Sequence, residues 1–178
     1  KLNQLIKQAL LGKKSAWIKL FKRYQKQIFN YAYRMVNNRD DAFDLMQDIF
    51  VAVYRSLSTF KGESQFKSWL FRIAHYRCVE YYRRKKPTQS LDDVPESTAP
   101  ERHSCPEMSM AIGQQAAGLM SAMQTLPINQ RTVIELKFFQ HCTFDEIADQ
   151  LGVSPNTVKS RLYNALDKLK GELGVNYV

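Results

Sequence analysis

The sequence predicts an all-α protein built as two small helical domains joined by a flexible linker, the second of them a helix-turn-helix. Three observations support this. Apolar residues recur at three- and four-residue intervals with no convincing period-two segment. A proline-rich acidic stretch interrupts that pattern after Lys86. Near the C-terminus, start signals for two helices stand a few residues apart. The expected divisions are a first domain over 1–86, a linker over 87–113 and a second domain over 114–178.

In the first domain, Leu2, Leu5, Ile6, Ala9 and Leu10 form a short apolar stripe that ends near Gly12. Ser15 is placed to cap a second helix running to about Val36 through Trp17, Ile18, Phe21, Tyr24, Ile28, Phe29, Ala32 and Met35. Asn37, Asn38, Arg39 and Asp40 make the break before a third helix, from about Asp41 to Leu57. A fourth helix runs from about Ser64 to Arg84, after a connection centred on Gly62.

The linker holds Pro87, Pro95, Pro100 and Pro106 among Ser, Thr and acidic residues, too little apolar area to offset the entropy of ordering it. Helical patterning resumes around Met108 and continues to Leu126. Pro127 then opens a helix that includes Val133, Ile134, Leu136, Phe138 and Phe139.

The last segment carries the strongest local signals. Thr143 with Glu146 three residues on is a capping box, so a helix starts near Phe144. Gly152 can take the left-handed conformation that ends it, and Ser154 caps a second helix with Pro155 in its first position. Ile147, Ala148, Leu151, Val158, Leu162, Ala165, Leu166 and Leu169 share one apolar face. The opposite face of the second helix carries Asn156, Thr157, Lys159, Ser160, Arg161, Tyr163 and Asn164, side chains able to bond base edges and phosphates in a major groove. A plain helical hairpin with a solvated face is the alternative, but the cap, glycine and Ser-Pro signals coincide at the spacing of a DNA reader.

Charge is unevenly spread. Residues 1–86 hold 19 Lys and Arg against 6 Asp and Glu, residues 87–115 hold 1 against 5, and residues 116–178 hold 6 against 6. A first domain this basic is expected to bind a polyanion, with nucleic acid favoured over an anionic membrane surface because no basic amphipathic helix stands alone at a terminus. Cys78, Cys105 and Cys142 include no C-x-x-C pair, which argues against a disulfide framework or structural zinc and for a cytoplasmic setting. His103 with Cys105 and His141 beside Cys142 are weak candidates for metal or redox chemistry, since lone cysteines mostly serve as small apolar side chains. No signal peptide or membrane-spanning run is found, so no membrane insertion is expected.

Two constellations in the first domain carry chemistry. The third helix has an expected core stripe of Phe43, Met46, Phe50, Val53, Tyr54 and Leu57, while Asp44, Gln47, Asp48, Val51 and Arg55 recur on its other side. Carboxylates so arranged are often only a solvated face, and no His, metal signature or Gly-rich loop accompanies them to suggest catalysis. From Thr59 to Lys86, aromatics (Phe60, Phe66, Trp69, Phe71, Tyr76, Tyr81, Tyr82) interleave with cations (Lys61, Lys67, Arg72, Arg77, Arg83, Arg84). Aromatic faces stack unpaired bases and cations hold their phosphates, the chemistry of single-strand capture. Trp69, Leu70 and Ile73 stand at core spacing, so the loop Phe60–Gln65, where Gly62 permits close backbone approach, is the better candidate.

Those two stretches, DDAFDLMQDIFVAVYRSLSTFKGESQFKSWLFRIAHYRCVEYYRRKK and LPINQRTVIELKFFQHCTFDEIADQLGVSPNTVKSRLYNALDKLK, resemble the second and fourth conserved regions of bacterial RNA polymerase sigma factors of the extracytoplasmic-function type, group IV of the sigma-70 family. The resemblance spans nearly the whole chain. It implies a factor that binds core polymerase, directs it to specific promoters and assists their melting, within a stress or envelope response. It further implies that Asp44, Gln47, Asp48, Val51 and Arg55 face the β′ clamp helices. Phe60, Lys61, Gly62, Glu63, Ser64 and Gln65, with Ile73, Tyr76 and Arg77, would take an unstacked minus-ten base. Asn156, Thr157, Lys159, Ser160, Arg161, Tyr163 and Asn164 would read the minus-thirty-five duplex. Other implied partners are the β flap and an anti-sigma factor; no cofactor, metal or catalytic residue is implied. The family most often has Asn where Tyr76 stands, Asp at Glu80, and Gly and a small apolar residue at His141 and Cys142.

Two other classes compete. A stand-alone repressor or activator would share the helix-turn-helix but would not need a basic, aromatic-rich helix beside an acidic-edged one. A nuclease would need a carboxylate or His cluster to hold metal ions, and none is present in the sequence.

Overall fold

The computed structural model describes residues 1–85 and 110–174. Every regular element among them is helical: α1 (Leu2–Leu10), α2 (Lys14–Val36), α3 (Arg39–Ser56), α4 (Phe66–Lys85), α5 (Met110–Gln124), α6 (Ile128–Ile134), α7 (Phe144–Leu151) and α8 (Pro155–Leu173). A short 3₁₀ turn (Leu57–Thr59) follows α3, and a π-helical turn (Glu135–Phe139) follows α6. The chain divides into an N-terminal unit, Lys1–Tyr81, and a C-terminal unit, Tyr82–Val178, the boundary falling in the last turns of α4. Residues 86–109, with most of the expected linker and both His103 and Cys105, lie outside the described residues. Helix α5 opens at Met110, inside the span assigned to the linker.

In the N-terminal unit α2 packs against α1 and α3. Helix α2 ends where Asn37 turns left-handed (φ 51°) and its N–H donates to the Tyr33 carbonyl, a role Asn fills with little strain. The Asn38 side chain accepts the Asp41 N–H and caps α3. The break is therefore two residues rather than the expected four, because Asn38 is the cap and Arg39 and Asp40 already belong to the first turn. Helix α2 likewise starts before Ser15. The N–H groups of Ala16 and Trp17 reach the Lys13 carbonyl, which leaves Ser15 inside the helix and its hydroxyl out of the capping position.

The core face of α3 is rotated from the one expected. Ala42, Leu45, Met46, Ile49, Phe50, Ala52 and Val53 are buried, whereas Phe43 and Tyr54 are 40 % and 61 % exposed. Small Ala42 and Ala52 are among the buried residues of α3, which packs on α2. The Phe43 and Tyr54 rings lie at the edge, 4.6 Å from the Phe29 ring and 5.1 Å from the Trp17 ring. Helix α4 buries Phe66, Leu70, Phe71, Ala74 and Cys78.

In the C-terminal unit Pro127 is the cap of α6 rather than its first residue. The capping box at Thr143 and Glu146 forms in full, Gly152 ends α7 at φ 65°, and the Ser154 hydroxyl accepts the Thr157 N–H ahead of Pro155. Ile147, Ala148, Val158, Leu162, Ala165 and Leu169 are buried between α7, α8 and their neighbours, with Leu151 and Leu166 at the half-buried margin.

His141, exposed and at φ 58°, occupies the left-handed region where most L-residues are strained. That conformation costs a residue with a Cβ about 1–2 kcal/mol, against about 0.5–1 kcal/mol of extra chain entropy for glycine. His141→Gly is therefore expected to raise the stability of the C-terminal unit by about 0.5–1 kcal/mol in urea unfolding. A loss of stability would show that the imidazole contributes more than the backbone strain costs.

Candidate nucleic-acid interface

The acidic-edged face of α3 is open. Asp44, Gln47, Asp48, Val51 and Arg55 are all exposed, at spacings of three and four that place them in one row along the helix. The exposed edges of Phe43 and Tyr54 adjoin this row and add apolar area that the sequence pattern had placed in the core.

The connection from α3 to α4 is organised by aromatic rings. Phe60 is half-buried; its ring stands edge-on to Phe66 at 5.4 Å and tilted to Trp69 at 5.4 Å, with Phe66 and Trp69 5.6 Å apart. Tyr24 of α2 closes the cluster 5.5 Å from Phe66. Lys61, Gly62, Glu63, Ser64 and Gln65 are exposed, and Gly62 at φ 76° makes the turn between Phe60 and α4.

These residues form one wall of an open cleft of about 810 Å³. Its opposite wall is α1, through Leu2, Asn3, Ile6, Lys7 and Leu10, with Tyr24 at the base. The contribution of Asn3 and Lys7 was missed in the sequence, where nothing links them to a loop more than fifty residues away. Ile73, Tyr76 and Arg77, assigned to the same pocket, do not line this cleft. Tyr76 is 57 % exposed, Ile73 is half-buried, and Arg77 Nη1 donates to Glu80 Oε2 at 2.8 Å. Glu80 thus holds Arg77 along α4.

In the C-terminal unit Asn156, Lys159, Ser160, Tyr163 and Asn164 form an exposed row along α8, with Tyr163 62 % exposed. Thr157 and Arg161 sit half-buried at its margin, and the Thr157 hydroxyl shares a 2.9 Å hydrogen bond with Ser154. Among the described residues no group of His, Cys, Asp and Glu is placed to hold a metal ion, and no helix is long and apolar enough to cross a membrane.

A basic helical unit with an aromatic-walled cleft and a second unit presenting a capped helix-turn-helix define a DNA-binding transcription protein. Family comparison makes the class specific: residues 20–88 match Sigma-70 region 2 and residues 117–169 match Sigma-70, region 4. The RNA polymerase sigma factor YlaC of Bacillus subtilis is 30 % identical over 152 residues, covering 85 % of this chain and 88 % of its own. The ECF RNA polymerase sigma factor SigM of Mycobacterium tuberculosis is 30 % identical over 173 residues, covering 96 % and 84 %. Among solved structures, CnrH in complex with the cytosolic domain of CnrY superposes with a TM-score of 0.70 at 25 % identity, covering 97 % of each chain. The chain belongs to the extracytoplasmic-function sigma factors of the sigma-70 family, which bind core RNA polymerase and direct it to promoters.

Because the Phe60 ring is half-buried among two others, its removal also costs stability. A fully buried Phe→Ala change costs about 3–5 kcal/mol, so Phe60→Ala is expected to destabilise the N-terminal unit by about 2 kcal/mol in denaturant unfolding. An unchanged midpoint would mean that the ring is free of its neighbours in solution.

Proposed function

We propose that three surfaces of this sigma factor divide the work of initiation. The exposed row on α3, Asp44 to Arg55, docks on the β′ clamp helices of core polymerase. The cleft between α1 and residues 60–67 receives an unpaired minus-ten base, with Ile73, Tyr76 and Arg77 farther along α4 contacting the adjoining strand. The exposed row on α8 enters the major groove of the minus-thirty-five element, and the C-terminal unit also meets the β flap. The observation that carries the reading is the cleft itself: aromatic rings on one side, and Lys7, Lys61 and Lys67 around it, the combination that single-strand capture requires.

The protein acts by binding rather than by turnover, without a cofactor, in the cytoplasm where polymerase works. An anti-sigma factor that covers these surfaces until a stress or envelope signal releases them completes the reading. Support for a protein partner comes from CnrH, seen in complex with the cytosolic domain of CnrY.

Phe60→Leu separates capture from folding, since it keeps apolar volume while removing the stacking face. A lost base–aromatic stack is worth roughly 1–3 kcal/mol. The variant should bind core polymerase and upstream duplex normally, yet show at least about fivefold less permanganate reactivity of minus-ten thymines and correspondingly less transcript. Normal reactivity would sink the capture assignment.

For the α3 surface, Asp44→Lys should weaken association with core polymerase by about 1–3 kcal/mol without loss of helicity. A core-binding titration that matches the parent protein would remove this face from the interface.

A further inference from the structure

Two lysines from different elements converge on one ring. Lys137, in the π-helical turn, places Nζ 4.5 Å from the centroid of Phe144, and Lys159, on α8, places Nζ 5.6 Å from the same centroid. The two ammonium groups therefore lie within about 10 Å of each other, a separation at which their charges repel in water. Neither makes an ion pair with a carboxylate among the described residues; Lys137 Nζ has only a 3.4 Å contact with the Cys142 carbonyl. Of the carboxylates in the first turn of α7, Glu146 is turned onto the Thr143 N–H at 2.7 Å and Asp145 is exposed.

We propose that Lys137 and Lys159 together clamp a single backbone phosphate of the promoter duplex, with Phe144 as the platform that holds both ammonium groups in place. The ring face attracts each cation and limits its rotamers, so less side-chain entropy is lost on binding. The chemistry of the ligand follows from the neighbourhood. Lys159 stands in the row of Asn156, Ser160, Tyr163 and Asn164, so what reaches it is what reaches that row. Phe144 opens the first helix of the helix-turn-helix, the element that crosses the DNA backbone when the second lies in the groove. A phosphodiester between the ammonium groups would relieve their repulsion, and Glu146, engaged in the capping box, does not compete for them.

This clamp rests on the reading of α8 as the minus-thirty-five reader and adds to it a positioning residue, Lys137, from outside the helix pair. It predicts that Lys137 contributes to affinity and register and carries no base preference.

The test uses the full chain on a duplex bearing its upstream element. Lys137→Met keeps an unbranched stem over the ring and removes the charge; Lys137→Arg keeps the charge. Lys137→Met should weaken duplex binding roughly 5- to 10-fold near physiological salt, reduce the slope of log K against log salt by about 1, and leave base preference unchanged. Lys137→Arg should restore both affinity and slope, and an unchanged urea midpoint of the Lys137→Met variant should exclude a structural loss at the Cys142 contact. Neutralising phosphates one at a time as methylphosphonates should then identify one position at which Lys137→Met and the parent protein bind equally. The clamp is overturned if Lys137→Met leaves affinity and slope unchanged, if its deficit persists at every neutralised phosphate, or if it alters base preference. Lys159→Ala and Asn156→Ala serve as reference: should they weaken binding while Lys137→Met does not, the clamp alone fails, and should none of the three matter, the α8 reading fails with it.

Discussion

The guanidinium of Arg131 holds together the turn on which the C-terminal unit depends. It is 4 % exposed, and its donors reach the carbonyls of Met123 (2.9 Å), Gln124 (3.1 Å) and Leu126 (3.0 Å) and the Gln124 side chain (3.1 Å). These carbonyls lie at the C-terminal end of α5, where the helix cannot satisfy its own acceptors. A glycine cap would satisfy one or two; the planar five-donor fork of arginine satisfies several at once and brings α6 with it. Because α6 packs against α8, this turn helps to set where α8 sits. A buried charge is tolerable only when bonded in this way, and Glu135, fully buried one turn later, follows the same rule by accepting from the Gln140 amide at 3.0 Å.

The N-terminal unit carries two unlike surfaces on one small set of helices, a basic one and an acidic-edged one. The first 86 residues of the chain are strongly basic, yet four of their six carboxylates fall on Asp40, Asp41, Asp44 and Asp48, at the start and along α3. Asp40 and Asp41 sit in the first turn, where they complement the helix dipole, and Asp41 also accepts a 2.6 Å hydrogen bond from Tyr81. Asp44 and Asp48 are displayed on the outer face. For the proposed docking of this face on polymerase, local charge reversal in a basic unit disfavours DNA and suits a protein partner. The half-exposed rings of Phe43 and Tyr54 beside it supply the apolar area that protein interfaces need at their centre.

The cleft was legible in the sequence where the signal was local and not where it was long-range. The loop Phe60–Gln65 could be found from its aromatics and Gly62. Its opposite wall on α1 could not, because Asn3 and Lys7 look like ordinary exposed residues of a short amphipathic helix. Arg77 reads as one more cation in a basic run until Glu80 is seen to hold it. Lys137 reads as a helical surface lysine until the π turn directs it over Phe144 beside Lys159.

What the sequence determined by itself lies among the features closed by hydrogen bonds within three or four residues. The capping box at Thr143 and Glu146, the left-handed Gly152, the Ser154 cap with Pro155 behind it and the exposed polar row on α8 all follow from residue type and spacing, because each involves atoms the chain has already brought close. The tertiary structure decided which way the stripes face and what they meet. Phe43 and Tyr54 carry the same helical period as the true core of α3, yet they stay at its edge against Phe29 and Trp17 of α2 while Ala42 and Ala52 are buried. The cleft between α1 and the Phe60 loop depends on segments remote in sequence, and the carbonyls that Arg131 gathers belong to the end of the preceding helix and the turn after it. Their free energy comes from packing across elements, and no local pattern encodes it.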